Sequence, residues 1–289
     1  MFAAAGLTDL FIAYPLWVAG SKAGRLRALA DVAVLRIGVD SVAGARTLGT
    51  SVAGVAHPPR VLIEVDSGDE RTGVPTPAEV VDVARAAADA GLHVDGVFTH
   101  GGHGYQPGRA AAAGADESRS LSAATDAMAA AGFDVRTISS GSSPTRLLAG
   151  SLVNEVRAGT VVFGDRLQAS LGSIGDEDVA LVVAATVVSS RQGQFVVDAG
   201  AKSLTKDRPS HLAGHGFLPA YPDAVIDRLS DYHGVVVVPD GTPSPAIGEV
   251  VAIVPNHVCP VVDLFNEFSV VNADGSIERW PVDARGRSR

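Results

Sequence analysis

The segment RVLIEVDSGDERTGVPTPAEVVDVARAAADAGLHVDGVFTH, residues 60–100, has the pattern of a strand, a helix and a second strand. Its first run, Arg60–Val65, is apolar on both faces, which is typical of a strand in a sheet that is covered on both sides. The Ala-rich stretch Thr76–Ala90 predicts a helix, and Val94–Thr99 predicts the next strand. Because strands that alternate with helices of this length lie parallel in one sheet, the segment predicts a repeating βα unit.

The same alternation extends in both directions as far as about residue 165. Four further strands are predicted at Asp9–Tyr14, Val32–Val39, Val135–Ser139 and Thr160–Phe163. Helices are predicted at Lys22–Ala30, Val42–Val55 and Ala115–Ala131, with a short one after Pro144. A closed (β/α) barrel needs eight strands. We therefore predict an α/β fold in which residues 1–165 form an incomplete TIM-type barrel with about six of its eight strands.

The sequence after residue 165 has a different texture. Strand patterns are separated by Gly/Pro/Asp turns such as Pro239–Pro243, and long helical patterns are scarce. The predicted strands are Val179–Ser189, Gln194–Val197, Gly234–Val238 and Glu249–Pro255. This pattern predicts a mostly antiparallel β domain over residues 166–289.

The first residues read as the end of a helix. Met1–Gly6 has the pattern of a last helical turn, with Gly6 as the residue that stops it. No strand pattern precedes this turn, and the strand count is two short of a barrel. We therefore expect the chain to be truncated at its N-terminus by about two βα units, which would leave unpaired strand edges.

Composition excludes several classes of protein. The chain has 289 residues, 46% of them hydrophobic, and a net charge of −9 without a basic block, which argues against nucleic-acid and anionic-membrane partners. No apolar run approaches the ~20 residues of a membrane span. A single cysteine excludes an internal disulfide framework and is compatible with a reducing cytoplasm.

Three polar segments follow predicted barrel strands, at the end where barrel enzymes place their active sites. Ser139–Thr145, which includes Gly141, Ser142, Ser143 and Thr145, offers small residues, hydroxyls and backbone N–H groups to a phosphate. Its alternative is an ordinary Ser/Gly loop with Pro at the first position of a helix. His100 and Tyr105 lie in a Gly-rich loop, where a His stacks on a flat cofactor or moves protons.

The third polar segment, Glu64–Gly73, places Arg71 among acids. Its guanidinium suits a ring nitrogen or a carboxylate. The alternative is a solvated loop held by local Asp hydrogen bonds.

The only cysteine, Cys259, stands two positions after His257 in the segment Pro255–Pro260. If this segment is a strand, both side chains project from the same face. A soft sulfur beside an imidazole suits Zn²⁺, and two ligands leave open positions, as in a catalytic site. The alternative is a buried free cysteine beside a core histidine.

Taken together and in order along nearly the whole chain, these motifs resemble D-serine dehydratases and their relatives the D-threonine aldolases. These belong to the alanine-racemase-like, fold-type III group of pyridoxal-phosphate (PLP) enzymes. The resemblance is carried by Asp9–Pro15, Glu64–Gly73, His100–Tyr105, Ser140–Thr145, Asn154–Gly159, Phe163–Asp165, Asp198–Lys202 and Pro255–Cys259.

The resemblance implies a specific cofactor site. PLP would bind at the C-terminal ends of the barrel strands, and the β domain would close the site. Gly141, Ser142, Ser143 and Thr145 would hold the phosphate. His100 would lie near the ring as a catalytic candidate together with Tyr105, and Arg71 would be a partner for the pyridine nitrogen.

The resemblance also implies a metal. A His-x-Cys pair like His257 and Cys259 binds zinc beside PLP in the dehydratases, and the metal polarises the substrate hydroxyl for β-elimination. In the D-threonine aldolases the matching pair is more often His-x-Asp, so Cys259 favours a dehydratase.

Two positions depart from the family. Val161 stands where the family usually has a Tyr. The Schiff-base lysine of the family belongs to the first barrel strand, upstream of this sequence, and none of Lys22, Lys202 and Lys206 matches it.

We therefore predict a truncated, D-serine dehydratase-like lyase that would convert D-serine into pyruvate and ammonia, inactive as this chain, cytoplasmic, and a homodimer in its full-length form. The alternatives are a D-threonine aldolase-type lyase or a racemase on the same fold, and a non-catalytic PLP- or metal-binding remnant.

Overall fold

The computed structural model describes residues 1–287, which divide into two compact units. We call Met1–Ala158 the barrel unit and Gly159–Arg289 the β unit. The boundary predicted from the sequence, between residues 165 and 166, falls seven residues beyond this division.

Six parallel strands form the sheet of the barrel unit, in the order β1-β2-β3-β4-β5-β6. The sheet curls through 234°, as expected for an incomplete barrel, so the predicted fold class is confirmed. Its strands are β1 Asp9–Pro15, β2 Val34–Val39, β3 Arg60–Glu64, β4 His93–Phe98, β5 Thr137–Ser140 and β6 Glu155–Val156. Its helices are α1 Ser21–Ala30, α2 Val42–Ser51, α3 Pro77–Asp89 and α4 Ala110–Ala130.

The helix α3 shows why the βα pattern was readable. Thr76 caps it by accepting a hydrogen bond from the Glu79 N–H, and Pro77 occupies the first turn, where no intrahelical donor is needed. Its buried side chains pack with the strands in one core, whose fully enclosed members include Ile37, Leu48, Val61, Ile63, Val80, Val97 and Leu121.

Two local predictions in this region are wrong. The sixth strand is Glu155–Val156, whereas Thr160–Val162 forms a 3₁₀ turn. The Asn154 side chain accepts from the Ile138 N–H and donates to the Arg136 carbonyl, which sets the pairing that follows between β5 and β6. The β-branched residues at 160–162 lie beyond that pairing, so their strand propensity has no partner to act on.

The segment after Pro144 is a turn and not a short helix. The Ser142 and Thr145 side chains bond to each other's backbone N–H groups. Hydroxyl groups that capture nearby backbone donors in this way compete with helix formation.

The β unit is built on a five-stranded antiparallel sheet, in the order β11-β7-β8-β10-β9, and a separate two-stranded hairpin. The predicted antiparallel β domain is therefore confirmed. Its strands are β7 Val183–Arg191, β8 Gln194–Val197, β9 Val225–Leu229, β10 Gly234–Val237 and β11 Val250–Ile253, with β12 Glu267–Val271 and β13 Ile277–Pro281 in the hairpin. Three short helices accompany them: α5 Arg166–Ser170, α6 Ala201–Leu204 and α7 Val258–Leu264.

Within residues 1–287, none of the helices combines the length and the apolar character needed to span a bilayer.

Candidate active site

Three loops that follow β3, β4 and β5 meet at the carboxyl end of the barrel sheet. Thr99, directly after β4, is fully buried and its hydroxyl donates to the Val65 carbonyl at 2.6 Å. The same hydroxyl lies 2.9 Å from the Ser67 hydroxyl. Parallel strands bring their carboxyl ends to one edge, so loops that are far apart in sequence converge there.

The loop Gly141–Thr145 is closed on itself and yet retains unused hydroxyl groups. Ser142 donates its N–H to Thr145 Oγ1 at 3.1 Å, and the two hydroxyls lie 3.0 Å apart. Ser140 Oγ and Ser143 Oγ are buried, and neither has a hydrogen-bond partner within the described part of the chain. Buried polar groups are rarely left unpaired, so two such hydroxyls at one turn fit an acceptor-rich ligand such as a phosphate.

Gly141 adopts φ +114°, a backbone conformation that residues with side chains rarely reach. A Cβ built at this position would lie 3.1 Å from the Arg157 carbonyl oxygen. The absence of a side chain therefore keeps the turn open beside the two unpaired hydroxyls.

His100 lies against this loop. Its Nδ1 is 3.2 Å from the Gly141 carbonyl oxygen. A carbonyl can only accept, so Nδ1 carries the hydrogen and Nε2 of the neutral ring keeps its lone pair. Burial and, to a lesser degree, the Arg71 guanidinium lower the pKa of His100, and both favour this neutral form.

Tyr105 lies on the same face as His100, with ring centroids 6.2 Å apart. Its hydroxyl oxygen accepts a hydrogen bond from the Ser143 N–H at 3.4 Å. The two catalytic candidates, His100 and Tyr105, are thus brought together, and Tyr105 also contacts the loop Gly141–Thr145.

Glu117 of α4 contacts both the loop that follows β4, at Gly101, and the loop that follows β5, at Gly141. Its Oε1 accepts from the Gly141 N–H at 3.0 Å, and a Cβ at Gly101 would lie 2.7 Å from its carboxyl carbon. Glycine at position 101 is therefore required for this close approach. Sequence patterns alone did not single out Glu117, which lies in the middle of a helix with alanine-rich surroundings.

Two arginines differ in how firmly they are held, Arg71, which the sequence analysis named, and Arg157, which it did not. The Arg71 side chain is 59% exposed, and its Nε lies 3.7 Å from an Asp69 carboxylate oxygen. Arg157, which follows β6, donates through Nε to Ser139 Oγ at 3.1 Å and through Nη2 to the Thr99 carbonyl. Burial lowers the pKa of Arg157, and neighbouring carboxylates oppose that effect.

Arg157 also lies over the Phe98 ring, 5.3 Å from its centroid. Like Glu117, it is a functional candidate that the sequence patterns did not single out. The available signal was its place directly after a strand, within the Asn154–Gly159 segment that resembles the family.

The barrel unit contains one lysine, Lys22, which lies exposed in the first turn of α1. Lys202 and Lys206 belong to the β unit. Lys202 bonds the Tyr232 hydroxyl at 2.9 Å and pairs with Asp231. Within residues 1–287, none of the three lysines lies on a strand of the barrel sheet.

His257 and Cys259 meet in a different way from the one that the sequence predicted. His257 caps α7 in extended backbone, with φ −140°, and Cys259 is the second residue of the helix. The expected strand alternation is therefore wrong, yet the two side chains lie close enough that each shifts the pKa of the other. Cys259 is exposed, so the alternative of a buried free cysteine is also wrong.

This pair is strongly polarised. The hydrogen bond with Cys259, together with one to Asp207, raises the pKa of His257 to about 9. The same contact with His257 lowers the pKa of the Cys259 thiol. Both shifts favour a thiol that loses its proton readily beside an imidazole that attracts one, and a metal ion binds such a pair by displacing protons.

Asp165 supports the backbone between the two side chains. It is fully buried; its Oδ2 accepts from the Val258 N–H at 3.0 Å and its Oδ1 from the Gln168 N–H at 2.8 Å. Thr160 Oγ1 lies 3.6 Å from Cys259 Sγ. The loop that presents His257 and Cys259 is thus held from both sides.

Within the described ranges of the chain, no group of three or more His, Cys, Asp and Glu side chains is spaced to hold a metal ion. The donors at His257 and Cys259 are nevertheless those that zinc prefers, and a two-residue site leaves positions for water or substrate. The residues present therefore fit an open zinc site.

The chain is similar to known proteins over both the barrel unit and the β unit. Residues 4–167 match the family described as "Alanine racemase, N-terminal domain", and residues 180–271 match the serine dehydratase domain family. D-threo-3-hydroxyaspartate dehydratase from Delftia sp. HT23 is 32% identical over 271 residues, covering 85% of this chain and 71% of that enzyme. Its structure matches with a TM-score of 0.88 at 30% identity over 97% of this chain and 80% of that chain.

Two further relatives act on related substrates. D-threonine aldolase from Filomicrobium marinum matches with a TM-score of 0.85 at 29% identity, over 99% of this chain and 79% of that chain. D-serine dehydratase from Dictyostelium discoideum is 27% identical over 244 residues, covering 75% of this chain and 62% of that enzyme.

Two other solved structures of D-threo-3-hydroxyaspartate dehydratase carry substitutions that bear on the His-x-Cys pair. One replaces a cysteine by alanine and is described as the metal-free form. The other replaces a histidine by alanine two positions before that cysteine.

Proposed function

The chain belongs to the alanine racemase N-terminal domain family, and from that premise we propose that it carries the cofactor and metal sites of a pyridoxal-phosphate- and zinc-dependent lyase of β-hydroxy-D-amino acids. The reaction is β-elimination of the D-serine dehydratase type, which gives pyruvate and ammonia from D-serine. The observation that carries the proposal is the His257–Cys259 pair. It has the spacing of the histidine and cysteine that are substituted in the dehydratase structures, one of them metal-free.

The barrel unit supplies the cofactor site in this proposal. Ser140 and Ser143 have the free hydroxyls to receive the phosphate, and the open turn at Gly141 admits it. Neutral His100, held by the Gly141 carbonyl, would lie beside the cofactor ring and keeps a lone pair at Nε2. Bound pyridoxal phosphate supplies the electron sink for loss of the α-proton.

Arg157 replaces Arg71 as the proposed partner of the cofactor ring. Arg71 is exposed, whereas Arg157 is fixed by Ser139, Thr99 and the Phe98 ring. A guanidinium held in one orientation donates to a ring nitrogen with less loss of side-chain entropy than a mobile one.

The β unit supplies the metal site. His257 and Cys259 bind zinc as imidazole and thiolate, and the remaining positions stay open to water and substrate. A zinc ion held by these two residues would supply Lewis-acid polarisation of the substrate hydroxyl. Cys259 of this pair supports a dehydratase over an aldolase, because the aldolases that the chain resembles more often have an aspartate at this position.

We further propose that the 289-residue chain on its own releases no pyruvate. Its three lysines are exposed, and none lies on a strand of the barrel sheet. A cofactor bound to this chain would therefore be held without a covalent bond.

Titrations with zinc and with two forms of the cofactor test these sites directly. The chain should bind one zinc ion, and Cys259→Ala should abolish that binding. It should bind pyridoxal phosphate more tightly than pyridoxal, and Ser143→Ala should reduce the difference, whereas Ser151→Ala at an exposed position should not. Equal binding of the two cofactor forms would refute the phosphate site.

A D-threonine aldolase-type lyase is the second candidate, supported by the 29% identity and TM-score of 0.85 to the Filomicrobium enzyme. The products separate the candidates. Pyruvate from D-serine indicates the dehydratase and glycine from D-threonine the aldolase, and either product above background from this chain alone would contradict the proposed inactivity.

A further inference from the structure

Asp207 makes the closest polar contact of the His257 ring. The distance from His257 Nδ1 to Asp207 Oδ2 is 2.7 Å. A carboxylate next to Nδ1 accepts its hydrogen, which leaves Nε2 as the ring nitrogen that can bind a metal ion once its own proton is displaced. Metal-binding histidines commonly donate their second ring N–H to a carboxylate in this manner, and the contact fixes both tautomer and ring orientation.

The backbone that carries Asp207 is held in an unusual conformation. Thr205, two residues earlier, has φ +64° and ψ −179°, which a β-branched residue rarely adopts. The Thr205 hydroxyl accepts a hydrogen bond from the Asp207 N–H at 3.2 Å. Strain of this kind persists where the surrounding contacts fix it, and it is concentrated at functional sites.

Asn256 couples the two partners. It precedes His257 in the chain and is 1% exposed. Its amide donates to the Asp207 carbonyl and to the Gly214 carbonyl, each at 3.0 Å, and its Oδ1 accepts from Arg166 at 3.3 Å. The same buried side chain therefore fixes the backbone of Asp207 relative to His257, unlike an ordinary surface ion pair between two mobile side chains.

We propose that Asp207 is the positioning residue of the metal site: it holds the His257 ring with Nδ1 donating and Nε2 directed to the metal. This inference rests on the proposed function, because it presumes that His257 and Cys259 bind zinc. Asp207 itself does not bind the ion, and it acts through the ring that it orients.

Zinc affinity, measured with Zn²⁺ alone against a chromophoric chelator, tests the inference on the full chain. Asp207→Ala should weaken zinc binding 10- to 100-fold, the loss typical of removing such an outer partner. Asp207→Asn should weaken it less, because the amide oxygen still accepts from Nδ1. Asp240→Ala, at an exposed aspartate in the turn Pro239–Pro243, is the matched control and should bind as the parent does.

Cobalt substitution gives a readout that a merely structural residue would not change. At saturating Co²⁺, the parent and Asp207→Asn should share one absorption spectrum, including the thiolate-to-cobalt band, whereas Asp207→Ala should give altered bands. The Asp207 side chain is 48% exposed, so the variants should fold. If the alanine variant does not fold, the several-fold weakening expected for Asp207→Asn decides the matter.

The outcomes separate this inference from the proposed function. Parent-like zinc affinity in both Asp207 variants overturns the role of Asp207 and leaves the zinc site intact. A parent chain that binds no zinc, or that binds it unchanged after His257→Ala, overturns the proposed metal site and this inference with it.

Discussion

Replacement of Asp165 by alanine should destabilise the β unit by about 2–3 kcal/mol. The carboxylate is fully buried and accepts two backbone hydrogen bonds from different segments. One comes from the Gln168 N–H in the first turn of α5, the other from the Val258 N–H in the first turn of α7. The substitution removes both acceptors at once.

The magnitude follows from these two contacts. Loss of the side-chain cap on α5 costs about 1 kcal/mol. The buried Val258 N–H, left without a partner, costs about 1–3 kcal/mol more. Burial raises the pKa of Asp165, which means that the folded unit holds the charge at a cost that the alanine variant no longer carries. Relief of this cost offsets part of the destabilisation, so the expected value lies in the lower half of the range obtained by adding the two contributions.

Urea unfolding of the β unit measures the effect. Trp280 lies in this unit, and the only other tryptophan, Trp17, lies in the barrel unit. In a Trp17→Phe background the fluorescence of Trp280 therefore reports the β unit alone. Asp223→Ala, at an exposed aspartate, is the control and should change the unfolding free energy by less than about 0.5 kcal/mol. An Asp165→Ala loss below about 1 kcal/mol would show that neither contact holds the loop of His257 and Cys259.

Three further outcomes concern the barrel unit. Gly24→Ala in α1 should raise the unfolding free energy by about 0.5–1 kcal/mol, because a Cβ there meets nothing within 4 Å. Gly49→Ala in α2 should lower it by about 1–3 kcal/mol, because a Cβ there would lie 2.5 Å from the Ala90 carbonyl oxygen. Shifts of the same sign in the two variants contradict the packing argument. Burial lowers the pKa of His100, so below about pH 6.5 the folded unit binds fewer protons than the unfolded chain. The unfolding free energy should therefore decrease as the pH is lowered through this range, and it should decrease less in His100→Gln. Urea unfolding at pH 7.5 and 5.5 measures the difference. Arg157→Lys should cost about 1.5–3 kcal/mol in the same assay, because an ammonium cannot replace the guanidinium contacts to Ser139 and Thr99, and an unchanged midpoint would refute that role.

The sequence predicted the parts of the fold that depend on local periodicity. Five of the six barrel strands and the four longer helices follow from apolar runs and caps, as in the Thr76-Pro77 start of α3. It failed at β6, because a two-residue strand has no periodicity, and its position depends on the Asn154 side chain paired with β5. Strand β9 was missed for a related reason, since it contains the polar pair Asp227 and Arg228.

The candidate site was predictable where residue type carries the chemistry. The Ser/Gly loop and His100 were found because glycine, serine and histidine have few other reasons to cluster after a strand. Arg157 and Glu117 were not found, because their importance lies in burial and in contacts with distant segments. Arg71 was proposed from the sequence as the partner of the pyridine nitrogen because of its charge. Its exposure, which only the structure shows, makes it a weaker candidate for that role.

The His257 and Cys259 side chains lie close together, as the sequence predicted, but through a different local geometry. Within a helix, side chains two positions apart point in different directions and do not meet. These two meet because the helix begins between them: His257 is still extended, while Cys259 already belongs to α7. What fixes that boundary lies far away in sequence, in Asp165 on the Val258 N–H and Asp207 on the His257 ring. The geometry proposed to bind the metal is therefore a property of the folded β unit, and a peptide of residues 255–264 should bind zinc more weakly than the whole chain.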